Sequence, residues 1–83
     1  MRLTVRYFAA LREALGPQEV VDVPAGTALA CLRDELIAAS PAHAVALRKG
    51  RVLRCAVNQQ LADDAVVLQD GDEVAYFPPV TGG

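Results

Sequence analysis

Apolar and polar positions alternate from the first residues of the chain. Leu3, Val5 and Tyr7 interleave with Arg2, Thr4 and Arg6, the period-two pattern of a strand buried on one face. Phe8 continues the count on the Arg2 and Arg6 side, which makes it an exposed aromatic. Leu11 and Leu15, four apart and followed by Gly16-Pro17, mark a short helix over 9–15. Val21 and Val23 share one face of a second strand over 19–23, ended by Pro24 and Gly26. From Thr27, whose hydroxyl is expected to cap a first turn, Leu29, Leu32, Leu36 and Ile37 form one apolar stripe at helical spacing, and Pro41 ends this helix near Ser40. A further helical turn over 42–47 closes at Lys49-Gly50. Leu53, Cys55 and Val57 then share a face of a third strand over 52–57. Asn58-Gln59-Gln60 turns into a short segment carrying Leu61, without the Asn-Gly pair that marks the tightest hairpins. After a polar break at Asp63-Asp64 come a short apolar stretch, 66–68, a tight turn at Asp70-Gly71-Asp72 and a last strand over 73–77. Pro78-Pro79 stops that strand, because proline has a fixed φ and no N–H for a ladder.

In order, these elements read ββαβ(β)β, with one long helix whose single stripe must cover a face of the sheet. The class is α+β, a β-grasp arrangement in which a mixed sheet curls around one main helix. Residues 1–77 make this one domain, and 78–83 form a tail that spans at most roughly 20 Å when extended. Length leaves no room for a second core: a chain of 83 residues buries only on the order of 60–65% of its unfolded surface. Hydrophobic content of 53% against 22% charged is that of a globular chain, and no apolar run reaches membrane-spanning length. Arg2 and Arg6 stand where a signal peptide needs its apolar stretch, so a cytoplasmic protein is expected. A net charge of −2 gives no electrostatic case for nucleic acid.

Candidate chemistry in the body is sparse. Cys31 falls in a helical pattern and Cys55 in a strand pattern, and both are expected as small core residues, not as disulfide partners or metal ligands. His43 has no serine or cysteine partner implied by spacing and is expected to be solvated. Asp63, Asp64, Asp70, Asp72 and Glu73 cluster in turns, where aspartate serves local backbone hydrogen bonds more often than metal or acid–base work. No P-loop, GxGxxG or HExxH occurs. Arg48, Lys49, Arg51 and Arg54 read as a solvated helix end and hairpin ahead of a partner-facing basic patch. Phe8, Leu61 and Phe77 each point away from the main-helix face; they form either an apolar docking patch near the base of the tail or side chains covered by the curl of the sheet. The tail also leaves two readings. It is a stiff stem presenting a terminal carboxylate, with Gly82 and Gly83 slim enough for a narrow slot, or it is a frayed terminus.

The run Asp70-Gly71-Asp72-Glu73-Val74-Ala75-Tyr76-Phe77-Pro78-Pro79-Val80-Thr81-Gly82-Gly83, together with Ala56-Val57-Asn58-Gln59 and Val5-Arg6-Tyr7-Phe8-Ala9, closely resembles the small subunits of molybdopterin synthase, a family of ubiquitin-like sulfur carriers. The resemblance covers nearly the whole chain, implies a ubiquitin-like β-grasp and selects the reagent reading of the tail. It also implies that the chain itself binds no cofactor and no metal. A partner similar to the ubiquitin-activating enzymes, an adenylyltransferase, would use ATP and magnesium to adenylate the Gly83 carboxylate. A persulfide sulfur donor would then convert it to a thiocarboxylate. The large subunit of the synthase, expected to hold the catalytic residues, would accept that sulfur onto the cyclic pyranopterin precursor of molybdenum cofactor biosynthesis, within a heterotetramer. On this resemblance Gly83 carries the sulfur, Gly82, Thr81 and Val80 thread the partners' tunnels, and Phe8, Leu61 and Phe77 dock. Tyr76 stands where phenylalanine is more usual, and the Arg48 to Arg54 cations match no family role. Two rivals remain: a carrier for thiamine or tRNA thiolation, against which the Phe-Pro-Pro-Val-Thr run argues, and a non-catalytic ubiquitin-like adaptor.

Overall fold

The computed structural model describes residues 1–79. Five strands and three helices follow one another as β1 (Arg2–Tyr7), α1 (Ala10–Leu15), β2 (Gln18–Asp22), α2 (Leu29–Ile37), α3 (Pro41–Ala46), β3 (Arg54–Val57), β4 (Gln60–Leu61) and β5 (Glu73–Phe77). The sheet order is β2-β1-β5-β3-β4. Strands β1 and β5 pair in parallel at its centre and the other neighbours are antiparallel, so the sheet is mixed as expected. A parallel pair cannot be joined by a tight turn, and here the connection between its two strands runs through the helices and the remaining sheet.

Register assigns the two faces. Val5 lies beside Val74 and Tyr7 beside Tyr76, while Cys55 faces Tyr76 and Val57 faces Val74. These residues point toward α2, whose Leu29, Leu32 and Leu36 are buried against Leu3, Val5, Val74 and the two tyrosines. Each fully buried side chain of this size contributes about 1.5–3 kcal/mol relative to exposure, which is why a nine-residue helix with one stripe suffices to close the core. Tyr7 and Tyr76 stack with centroids 6.4 Å apart. The other face carries Thr4, Arg6, Glu73, Ala75, Phe77, Arg54 and Ala56, by the same register.

Several local expectations are corrected. Thr27 does not cap α2: its hydroxyl donates to the Pro24 carbonyl at 2.6 Å, Ala28 occupies the cap position, and an isolated bridge from Ala28 to Val67 fixes the helix entry instead. Of the short 66–68 stretch, Leu68 is buried, while Val67 makes that bridge with its side chain exposed. Strand β3 begins at Arg54, because the carbonyls just before it are held by Arg33: its guanidinium donates to Leu47, Arg48 and Arg51 at 2.8, 2.6 and 2.8 Å. Arg48 and Arg51 in turn donate to the Val45 and Ala46 carbonyls, and Lys49 pairs with Asp34 at 2.6 Å. The basic run is thus largely a scaffold for the end of α3. Cys31 is exposed on α2 and not the core residue expected, its position lying between the stripe residues and facing outward, whereas Cys55 is half-buried and packs against the core.

His43 is not solvated. Its Nε2 lies 2.7 Å from Glu19 Oε2 and its Nδ1 2.6 Å from Ser40 Oγ, while the Tyr7 hydroxyl donates to the same Glu19 oxygen at 2.7 Å. Ser40 caps α3 by accepting from the His43 N–H, and Pro41 fills the first helical position, where its missing N–H costs nothing. One carboxylate therefore ties β1, β2 and α3 together.

Candidate functional site

Strand β5 and the residues around it build a cavity of about 750 Å³ on the outer face of the sheet. Its floor is made by small residues: Ala75 of β5 lies opposite Ala56 of β3, and Ala75 is only 8% exposed although nothing from α2 covers it. Aromatic side chains wall it, Phe8 just past β1 and Phe77 at the end of β5, and Pro78 and Pro79 complete the apolar lining. Alternation along both strands produces this, since Phe8 follows Arg6 and Phe77 follows Ala75 on the same outward register. Large side chains flanking two alanines leave a trough where four aromatics would have filled it.

Polar groups stand at the rim. Arg6 Cζ sits 5.2 Å from the Phe8 ring centroid, a cation–π distance, and Arg6 Nη1 is 3.9 Å from Glu73 Oε2. Gln59 and Ala9 line the same cavity in left-handed backbone, at φ 69° and φ 55°. Each such residue without glycine's freedom costs about 1–2 kcal/mol, and both line this apolar trough. Asn58, also at positive φ, shares the turn with Gln59; its side chain donates to Asp72 at 2.9 Å and accepts from the Glu73 N–H at 3.0 Å. Those two hydrogen bonds, to Asp72 and to the first residue of β5, hold a two-residue turn of the primed kind without glycine.

The three docking residues read from the sequence are placed as follows. Phe8, 38% exposed, and Phe77, half-buried, both line the trough. Leu61 is 71% exposed and pairs with Ala56, so it shares the face but stands one strand beyond the trough, above adjoining depressions lined by Ala62. Val80, Thr81, Gly82 and Gly83 lie outside the described residues. The floor alanines, Arg6 and Glu73 were missed; the signal for them was present in the alternation around Ala75, but the pairing of Ala56 with Ala75 depends on a register that no local pattern states.

The aspartates serve turns. Asp72 accepts from the Gln69 N–H at 2.8 Å and Asp70 from the Arg2 N–H at 2.7 Å, so the 70–72 turn is fastened to the first residue of β1. Gly71 makes this turn at φ 86° and donates to the Arg2 carbonyl at 2.7 Å. Among the described residues no group of three or more His, Cys, Asp or Glu is placed to hold a metal ion, and no helix is long and apolar enough to cross a membrane. On the inner face, burial pushes the Cys55 thiol up to about 11, with the Asp64 charge adding to it, so Cys55 is a protonated thiol near neutral pH, not a nucleophile. Burial likewise raises Tyr7, with the Glu19 hydrogen bond second, and Tyr76.

Residues 5–83 match the ThiS family. The chain is 42% identical over 81 residues to the molybdopterin synthase sulfur carrier subunit of Escherichia coli, covering 98% of this chain and 99% of that protein. Among solved structures it is similar to a putative molybdopterin converting factor, subunit 1, from Pyrococcus furiosus, with a TM-score of 0.81 and 28% identity over 96% of this chain and 99% of that one. It is similar also to a chain in the complex of subunits 1 and 2 of the molybdopterin-converting factor from Helicobacter pylori, with a TM-score of 0.69 and 28% identity, covering both chains fully.

Proposed function

This chain belongs to the ThiS family, and from that premise we propose that it is the sulfur carrier subunit of a molybdopterin synthase, with Gly83 as the residue that bears the sulfur. The observation that carries the reading is the position of the trough. Phe8, Phe77, Pro78 and Pro79 put an open apolar surface at the root of the tail, so a partner that docks there receives the tail in the same encounter.

Chemistry assigns the remaining parts to partners. A carboxylate is a poor electrophile, and an adenylyltransferase partner using ATP and magnesium would convert it to an acyl adenylate by attack of a Gly83 oxygen on the α-phosphate, with pyrophosphate leaving. A persulfide's outer sulfur would then attack the Gly83 carbonyl and expel AMP to give an acyl disulfide, and a second thiol would attack the donor cysteine's sulfur, breaking the S–S bond, forming a disulfide with that cysteine and releasing the Gly83 thiocarboxylate. The large synthase subunit would take that sulfur onto the cyclic pyranopterin precursor. Gly82, Thr81 and Val80 thread the partner, with backbone groups pairing in the manner of a strand-like peptide, while Phe8, Phe77 and the neighbouring Leu61 supply the docking area. A cytoplasmic setting belongs to the same proposal. Nothing in this scheme asks a side chain of the body to act on substrate.

The test is intact mass after incubation with ATP, magnesium, an activating enzyme of the matching type and a persulfide source. The expected result is a gain equal to sulfur replacing one oxygen, abolished by deletion of Gly83. An unchanged mass, with the activating enzyme competent on another carrier, would overturn the proposal in favour of an adaptor. Transfer of the sulfur to a thiamine or tRNA acceptor but not to the pyranopterin precursor would move the chain to a different thiolation route.

A further inference from the structure

Left-handed backbone is distributed unevenly over this fold. Among the described residues it occurs at three glycines, Gly16, Gly26 and Gly71, and at three residues with side chains, Ala9, Asn58 and Gln59. At none of these glycines would a Cβ meet an atom within 4 Å beyond its chain neighbours, so glycine stands there for backbone freedom and not for want of space. Asn58 has a local reason for its side chain, the hydrogen bonds to Asp72 and Glu73, and asparagine tolerates this conformation better than most residues. Ala9 and Gln59 have no such reason, and they are the two that line the trough.

Each departs from what its own turn favours. Ala9, at φ 55° and ψ −132°, stands at the N-cap of α1, where its methyl group caps nothing; glycine would fit both the dihedrals and the cap better. Gln59 is the second residue of the two-residue turn between β3 and β4, at φ 69°, a position that glycine adopts without strain. That turn is already fastened through Asn58. The trough is what the two positions have in common. Among the residues that line it, Ala9 extends the apolar surface of Phe8, and Gln59 alone carries a primary amide, with two donors and an acceptor. The charged lining residues, Arg6 and Glu73, stand 3.9 Å from each other, whereas the exposed Gln59 amide makes no hydrogen bond among the described residues.

We propose that Ala9 and Gln59 are specificity-determining residues of the docking surface, kept in left-handed backbone at a cost to the fold because their side chains meet the large subunit: Ala9 through apolar contact beside Phe8, Gln59 through a pair of hydrogen bonds from its amide to a peptide group. The inference rests on the carrier role proposed above and adds to the apolar anchors two residues that select the partner. A peptide group is the fitting counterpart of the Gln59 amide, since each presents an N–H and a C=O in one plane. Strain of this kind persists where function holds it, and here the turns themselves would lose nothing by glycine.

The test compares full-length wild type with Ala9→Gly, Gln59→Gly, Gln59→Met and Gly26→Ala, each taken through urea unfolding and through titration with the large synthase subunit. Both substitutions to glycine are expected to raise the urea midpoint, by about 0.3–0.5 M, and yet to weaken binding, Ala9→Gly by about threefold and Gln59→Gly by about tenfold. Gln59→Met keeps the length and the strain, so its midpoint should stay with wild type while its affinity falls about as far as that of Gln59→Gly. Gly26→Ala, in the turn between β2 and α2, should show the reverse, a lower midpoint with unchanged affinity. A merely structural role would not move stability and affinity in opposite directions. A glycine variant at either position that binds within twofold of wild type, or whose midpoint falls, would overturn the inference and leave the carrier role untouched. Wild type that fails to bind the large subunit would overturn the docking role, and the inference with it.

Discussion

At the scale of single residues the two core tyrosines make a controlled pair. Tyr7 has a partner for its hydroxyl, the Glu19 carboxylate, while the Tyr76 hydroxyl is buried and has none. A buried donor left unpaired costs about 1–3 kcal/mol, so Tyr76→Phe is expected to raise stability by about 1 kcal/mol and Tyr7→Phe to lower it by about 1–2 kcal/mol, both read from urea midpoints at unchanged slope. A loss on Tyr76→Phe would show that the hydroxyl is satisfied in solution. The same region sets the alkaline limit of the fold. Cys55 and both tyrosines keep their protons to higher pH when folded than when unfolded. Above the ordinary thiol value of 9.0 the unfolded chain therefore binds fewer protons than the folded one, and stability falls as pH rises. The part due to Cys55 is complete below about 9 and lost through about 11, so thermal midpoints should decline over that range, and Cys55→Ala should flatten the decline.

Elements were legible in the sequence to the extent that their signals were local. The strand of Leu3, Val5 and Tyr7, the stripe of α2 and the stop at Pro78 all depend on side chains within a few positions, and they stand where the pattern put them. Thr27, His43 and the start of β3 did not follow, for a common reason: each is decided by a partner far along the chain. Val67 bridges the entry of α2, Glu19 engages His43, and Arg33 holds the carbonyls ahead of Arg54. Phe8 and Phe77 were readable as outward aromatics from alternation alone, while Leu61 could be given its face but not its distance from them. Arg33 gives this scale its prediction. Its guanidinium satisfies three carbonyls at the end of α3 and in the following loop, so Arg33→Ala should cost about 2 kcal/mol. Hydrogen exchange should speed up at the Arg51 amide, which closes that loop onto Arg48, well before it changes in β1. Uniform acceleration throughout the sheet would show that the loop has no stability of its own to lose.

At the scale of the whole molecule the trough and the tail divide the proposed work. Buried apolar anchors dominate affinity at protein interfaces, whereas ordering a terminal segment offsets much of what it gains. Phe77→Ala is thus expected to weaken binding to the large subunit by about 2 kcal/mol, roughly thirtyfold. Deletion of Gly83 should leave the dissociation constant within about threefold and abolish sulfur transfer. Calorimetric titration of both variants decides it, and equal losses of affinity would sink the division. The central pairing of β1 with β5 has a consequence of a different kind. The middle of the sheet joins the first strand to the last, so during synthesis the body has no closed centre until β5 has left the ribosome. A chain cut short before Phe77 lacks one wall of the trough and the middle strand of the sheet together. Copies terminated before β5 therefore lack a closed core as well as the tail, so a docking face is completed only when all but the last six residues have been made.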